Sequence, residues 1–400
     1  MVSLVAEPAT ALRPRVALIA TPGTTPTGLT RLSFSIQPEL RNLGFDAVVV
    51  RPQVGRPVQR AYGLGRRLGL DLERFFAQYP LRFDLPDADI YHLTSQYFAS
   101  ALMLQRFDRP VVVTAHDMIA YVLGDDPRLN CYGHAVHRWF DHLAMRGLKR
   151  ADALIADSEW TKRTIVAELG LPADRIRVIP LGVDLGTFYR RQIDDDFRAR
   201  TGLSADCRWI LYVGSEQPRK NFLTLIRAFA ELRRTRPDLR LVKIGNPELE
   251  TERRKAVALA LRLGVLDDIL FRRTVPEADL PCYYSAADLF VFPSLYEGFG
   301  LPPLEALACG APVVCSNATS LPEVVGDAAL TCTPDVPSLA RAMAQVLDNP
   351  SCARDLAERG PRRAQLHTWE RTARETAEVY AEVGAHWNRR RGHQARRIAV

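Results

Sequence analysis

Short apolar runs alternate with longer amphipathic stretches along the whole chain. In the first half, Arg15–Ala20, Asp46–Val50, Ile90–Thr94, Pro110–His116, Ala153–Ser158 and Ile176–Leu181 read as strands. Val, Ile and Leu fill successive positions in these runs, the mark of strands covered on both faces. Stretches at helical spacing lie between most of them, among them Leu29–Leu43, His134–Leu148 and Glu159–Leu169. Strands alternating with helices predict βαβ units and a parallel sheet.

The alternation pauses at Asp184–Asp206, a polar stretch of mixed charge that contains Asp194-Asp195-Asp196 and reads as a linker. A second series follows. Its strands are predicted at Trp209–Gly214, Leu239–Gly245, Ile269–Arg272, Asp288–Pro293, Ala311–Ser316 and Ala328–Thr333. Its helices are predicted at Asn221–Arg234, Glu250–Leu263, Pro303–Cys309 and Val336–Leu347, and helical character returns over Trp369–Trp387. No short solenoid repeat is present. The chain has 400 residues, and a single core rarely grows beyond roughly 250–300. The expected organisation is a Rossmann-like domain over 1–190, a second over 191–368, a helix over 369–388 that packs back toward the first domain, and a basic tail over 389–400. Doubly wound sheets bind ligands beyond the carboxyl ends of their strands. Two of them are expected to face a central cleft.

Composition narrows the class. The chain is 47% hydrophobic and 25% charged, ordinary for a soluble globular protein. The nearest approach to a membrane span, Ala256–Leu266, is short and interrupted by Arg262. The first residues lack the basic start, apolar stretch and cleavage site of a secretory signal, so a cytoplasmic location is expected. Seven cysteines, at 131, 207, 282, 309, 315, 332 and 352, form no Cys-x-x-Cys pair and predict reduced thiols. The net charge is +7, and Arg389, Arg390, Arg391, Arg396 and Arg397 close the chain without an acidic residue. This end reads either as solvated or as a peripheral contact with anionic membrane. Aromatic residues do not interleave with the arginines, so no nucleic-acid partner is predicted. His134 and His137 share a helix face, His142 falls elsewhere, and no Glu completes a zinc motif, so no metal is predicted. Asp194-Asp195-Asp196 falls in the linker, not after a core strand, and reads as a solvated charge run.

The most informative stretch is Phe292-Pro-Ser-Leu-Tyr-Glu297-Gly-Phe-Gly300-Leu-Pro-Pro-Leu-Glu305. A strand enters a glycine-containing loop, and the loop opens a helix with Pro302 and Pro303 in its first turn, where proline is favoured. Loop glycines allow close backbone approach, and a helix start carries a positive dipole end. Together they suit a diphosphate. Glu297 and Glu305 would repel a phosphate, so their natural partners are hydroxyls of a sugar and a ribose. The plainer alternative has Glu305 complementing the helix dipole and Glu297 in solvent. A second stretch, Gly214-Ser-Glu-Gln-Pro-Arg219-Lys220-Asn221, runs from a strand end to a helix start. It sets Arg219 and Lys220 where they could neutralise a diphosphate. Asn221 is an acceptable N-cap.

These two stretches together resemble glycosyltransferase family 4, whose members are retaining enzymes of the GT-B fold. The Glu-x7-Glu element carries the likeness most specifically, and Gly310–Ala329 extends it through most of the second half. The resemblance implies that Glu297 contacts the donor hexose and that backbone around Phe299, Gly300 and Leu301 holds sugar and phosphate oxygens. It implies that Glu305 binds the ribose, that Arg219 and Lys220 stabilise the leaving diphosphate, and that Gly214 lines the nucleotide site. Many members have Arg directly after that glycine, where this chain has Ser215, which leaves Arg219 and Lys220 with more of the neutralisation.

In the first half, His116-Asp117 ends a predicted strand. Position and resemblance imply that His116 contacts the donor sugar, with Asp117 orienting it. Thr21–Arg31, with Gly23 and Gly28, resembles the family's glycine loop, though a plain βα turn reads nearly as well. Ala153–Thr161 also resembles the family's first domain, with Ser158 a plausible N-cap. The expected activity is hexosyl transfer from a nucleoside diphosphate sugar, GDP-mannose first, to a saccharide or lipid-linked acceptor, with no cofactor. Three alternatives stand beside it: a sugar-nucleotide epimerase of similar fold, a nicotinamide-dependent dehydrogenase, and a catalytically silent sugar-nucleotide binder. The missing Gly-x-Gly-x-x-Gly after the first strand disfavours the dehydrogenase.

Overall fold

A computed structural model describes residues 13–20, 28–51, 78–80, 82–126, 128–129 and 135–398. Among them are two six-stranded parallel sheets. The first contains β1 (Arg15–Ile19), β2 (Asp46–Val50), β3 (Ile90–Leu93), β4 (Val111–Ala115), β5 (Ala153–Ala156) and β6 (Ile176–Val178), in the order β2-β1-β3-β4-β5-β6. The second contains β7 (Arg208–Val213), β8 (Leu239–Ile244), β9 (Ile269–Arg272), β10 (Leu289–Phe292), β11 (Val313–Ser316) and β12 (Leu330–Cys332), in the order β12-β11-β10-β7-β8-β9. Each order reverses direction once, between β1 and β3 and between β7 and β10. These are the switch points where doubly wound sheets take ligands. β2, β9 and β11 end where predicted, and the other nine strands end one to three residues earlier, because their ladders stop where the chain turns toward its helix.

The central strands are buried on both faces, as their continuous apolar runs require: every residue of β4 and of β10 is buried. Helix Phe222–Arg233 lays Leu225, Ile226 and Phe229 against the second sheet, all fully buried. Each such side chain contributes roughly 1.5–3 kcal/mol.

The chain divides into two compact units. One takes the described residues through Thr114, Leu143–Leu154, and those from Ala373 on. The other takes Ala115–His142 and Ile155–Thr372. The last helix, Trp369–Ile398, is longer than the predicted Trp369–Trp387, and from Ala373 onward it belongs to the first unit. There the Tyr380 hydroxyl lies 2.7 Å from His92 Nδ1, and His92 Nε2 lies 2.7 Å from Thr114 Oγ1, all in the core.

The polar run at Asp184–Asp206 is not simply a linker. It contains the helix Asp195–Thr201, started by Asp194, whose carboxylate accepts from Phe197 N at 2.8 Å. Asp195 and Asp196 complement the first-turn dipole, so the three aspartates form a helix start and not a loose charge run. Helix Pro350–Ala364 was not foreseen, because it buries only Leu356, Gly360 and Ala364, too little bulk for a periodic signal. Gly360 is small by necessity: a Cβ there would fall 2.8 Å from Leu307 O. That closeness seats this helix on Leu301–Ala308.

Candidate active site

At the switch point of the second sheet, the loop after β7 meets the loop after β10. The first runs from Gly214 to a short 3-10 turn, Pro218–Lys220. Asn221 follows with φ 58°, a left-handed value that asparagine tolerates better than most residues. Its amide donates to Pro293 O at 3.1 Å and Pro334 O at 2.8 Å, so it straps three loops together instead of capping the next helix. Arg219 O accepts from Leu295 N at 2.7 Å, which fixes the two loops side by side.

This geometry brings Arg219 and Lys220 onto Glu297. Lys220 Nζ lies 2.7 Å from Glu297 Oε1 and Arg219 Nη1 lies 3.2 Å from Glu297 Oε2. Lys220 also sits 5.1 Å above the Phe292 ring. All three charged ends are largely shielded from water. Burial would raise the Glu297 carboxyl, but Lys220 and Arg219 outweigh it and hold the group below its ordinary range. Burial pulls the Lys220 ammonium down, more than Glu297 pushes it up.

The loop that carries Glu297 is held from several sides. Thr319 Oγ1 accepts from Glu297 N at 3.0 Å, and Ser320 Oγ donates to Glu297 O at 3.0 Å and Phe299 O at 2.9 Å. Gly300, with φ 120°, turns the chain into helix Leu301–Ala308. Of that helix's first three positions only Leu301 has an N–H, because Pro302 and Pro303 have none. The backbone donors here therefore narrow to the Gly298–Leu301 segment. One turn on, Glu305 is buried and accepts from the Tyr284 hydroxyl at 2.8 Å.

His116 and Asp117, at the end of β4, belong to the same unit as these loops. His116 Nδ1 pairs with Asp157 Oδ2 at 2.7 Å. The expected orienting partner, Asp117, instead accepts from Ile119 N at 3.0 Å. Burial raises the Asp117 carboxyl. Ser158 is the N-cap of helix Glu159–Leu169, as expected, and also donates to Gly298 O at 2.7 Å. Glu323 supplies the rest of that cap, accepting from Glu159 N at 2.8 Å and Trp160 N at 2.9 Å. Gly298 itself packs so closely that a Cβ would fall 1.9 Å from His116 O.

Two family models cover the chain in sequence. One for glycosyltransferase family 4 matches residues 26–187, and one for glycosyl transferases group 1 matches 194–363. O-antigen chain mannosyltransferase B of Escherichia coli is 33% identical over 258 residues, 61% of this chain and 64% of that protein. An MMP alpha-(1->4)-mannosyltransferase of Mycolicibacterium hassiacum is 30% identical over 307 residues, 74% of this chain and 71% of that protein. The chain belongs to glycosyltransferase family 4. The fold agrees: the solved structure of Anabaena HepE with UDP-glucose, 19% identical, superposes with a TM-score of 0.71 over 92% of this chain and 100% of that one. The arrangement is GT-B.

For this family 4 glycosyltransferase, the structure gathers His116, Gly214, Arg219, Lys220, Glu297, Phe299, Gly300, Leu301 and Glu305 into one unit. Gly28 heads helix Gly28–Asn42 and belongs to the other unit, and residues 21–27 before it lie outside those described, as do His134 and Cys131. The six other cysteines are unpaired thiols. No described helix is long and apolar enough to cross a membrane. Sequence reasoning missed Asp157, Tyr284, Thr319 and Ser320. Asp157 alone left a signal, as a carboxylate directly after the apolar run Ala153–Ala156.

Proposed function

We propose that this glycosyltransferase moves mannose from GDP-mannose to a saccharide or lipid-linked acceptor, with retention at the anomeric carbon, in assembly of a cell-surface polysaccharide or glycoconjugate. One observation carries the nucleotide-sugar part of this reading: two cations largely shielded from water, Arg219 and Lys220, converge at a doubly wound switch point beside a glycine-rich helix start. The carboxylate that neutralises them holds the place of an anion. A diphosphate takes it over, and Glu297 turns to accept hydroxyls of the donor hexose. Glu305 accepts from the ribose.

Cleavage of the anomeric C–O bond leaves positive charge on the sugar ring and negative charge on the leaving phosphate. Donors already aimed at that phosphate lower the barrier, each by roughly 3–4 kcal/mol. The acceptor oxygen bonds to the anomeric carbon from the same face, and its proton passes to a leaving-phosphate oxygen. His116, steadied by Asp157, contacts the donor sugar. Arg219 and Lys220 supply the charge that a metal supplies elsewhere, so we expect no resident metal or cofactor. Mannose is supported by the mannosyltransferase names of both relatives. A nucleotide-sugar donor is supported by the UDP-glucose complex of a protein with this fold.

The test is a panel of GDP-mannose, UDP-glucose and UDP-N-acetylglucosamine, followed by melting point and by nucleotide release with and without a mannose-terminated acceptor. GDP-mannose is expected to raise the melting point, because only a ligand that favours the native state does so. Its turnover is expected to need the acceptor. Turnover of a UDP-sugar alone would overturn the donor. An isomerised nucleotide sugar formed without acceptor would replace transfer by epimerisation.

A further inference from the structure

A lysine stands near the carboxyl end of β8, one strand in from the edge of the second sheet. Lys243 lies on β8, in register with Tyr212 of β7 and Phe271 of β9, and its side chain is fully buried. Strands covered on both faces ordinarily carry Val, Ile or Leu at such positions, and a buried ammonium needs a partner. Lys243 Nζ donates to Glu216 Oε1 at 2.8 Å and to Gly245 O at 2.5 Å. Arg253, in helix Glu250–Arg262, donates to the same Glu216 oxygen at 2.5 Å and stacks over Phe271 at 4.8 Å. Glu216 is itself buried. Replacing such a cluster with apolar side chains of similar volume is often neutral or stabilising, so stability does not account for it.

The cluster's placement offers another account. Glu216 sits on the loop after β7, three residues before Arg219. Next to it, Gln217 bonds Glu248 through its amide nitrogen and accepts from Arg219 Nε at 3.0 Å through its oxygen. The loops after β7 and β8 are pressed together at Gly214 and Gly245, where a Cβ on Gly245 would fall 2.5 Å from Gly214 O. A continuous set of contacts thus runs from Lys243 on β8 to the cations on Glu297.

We propose that Glu216, clamped by Lys243 and Arg253, is a positioning residue that sets the Gly214–Lys220 loop so that Arg219 and Lys220 meet the donor diphosphate. This rests on the reading of those two cations given above. A misplacement of about 1 Å can cost on the order of 10²-fold in rate, so a loop clamp far from the reacting atoms has room to act.

The decisive variant removes the charges but keeps the packing: Glu216→Leu together with Lys243→Met and Arg253→Met. It is expected to melt at or above the parent temperature while kcat falls at least about 10-fold, with the acceptor KM unchanged. Wild-type kcat in that folded variant would make the cluster structural only and overturn the proposal. Should the triple variant fail to fold, Arg253→Met and Arg253→Lys singly, near the cluster's edge, decide instead. The first is expected to lose turnover and the second to keep most of it, and equal, normal turnover in both overturns the proposal. Lys220→Ala is measured alongside. If it turns over normally, both the diphosphate site and the clamp fall. If it is inactive while the clamp variants are normal, only the clamp falls.

Discussion

His116 Nδ1 lies 2.7 Å from Asp157 Oδ2, at the ends of neighbouring strands β4 and β5, with both side chains buried. A carboxylate on one ring nitrogen fixes the tautomer and aims the other. Asp157→Asn keeps the shape and loses that bias. We expect kcat to fall about 10-fold or more, with a small change in melting point, and Asp117→Asn to cost less because it leaves the imidazole pair intact. Steady-state kinetics on the two variants check this, and equal losses would reject the assignment.

Lys220→Ala should lower turnover by about 10²-fold or more while the protein stays folded. Glu297→Gln should do something different. It removes the anion that competes for Arg219 and Lys220, so GDP is expected to bind more tightly than to the parent, even as turnover drops. Calorimetric titration with GDP separates the two effects, and weaker GDP binding to Glu297→Gln would contradict the exchange of carboxylate for diphosphate.

Gly298→Ala is expected to abolish transfer. Its Cβ would press on His116 O at 1.9 Å and Asp117 Cβ at 2.7 Å, so the Glu297 loop and the β4 end must separate. The clash is with backbone and cannot be relieved by a rotamer. Circular dichroism should show retained secondary structure beside lost nucleotide release.

His367 predicts an acid limit. It is buried, its ring meets Phe299 edge-on, and burial holds it at about 4 against an ordinary 6.5. The unfolded chain therefore binds this proton more readily than the folded one between about pH 6.5 and pH 4. Stability from this group is whole above 6.5 and declines as pH falls through that window, by roughly 3 kcal/mol in all. His367→Leu should flatten that part of the stability profile relative to the parent in denaturant titrations. An unchanged slope would remove His367 as the source.

Much of this was legible from spacing alone. β2, β9 and helix Glu159–Leu169 begin and end where the apolar pattern places them, because a short apolar run and a Ser158 cap are local facts of sequence. The Asp194–Thr201 segment was misread because polar residues at a helix start look the same as a solvated loop until Phe197 and Thr201 find a core to enter. Asp157 as a partner of His116 was not read from the sequence, because separation along the chain says nothing about which side chain lies across a strand pair.

By itself the sequence determined the alternation of strand and helix, the two doubly wound halves, and the residue types of the site, since periodicity and turn chemistry act over a few neighbours. Only the tertiary structure decided who meets whom. Arg219 and Lys220 reach Glu297 across 77 or so positions, and Lys243 finds Glu216 inside a sheet, because hydrogen bonds and ion pairs are set by distances of about 3 Å in space that separation along the chain does not encode.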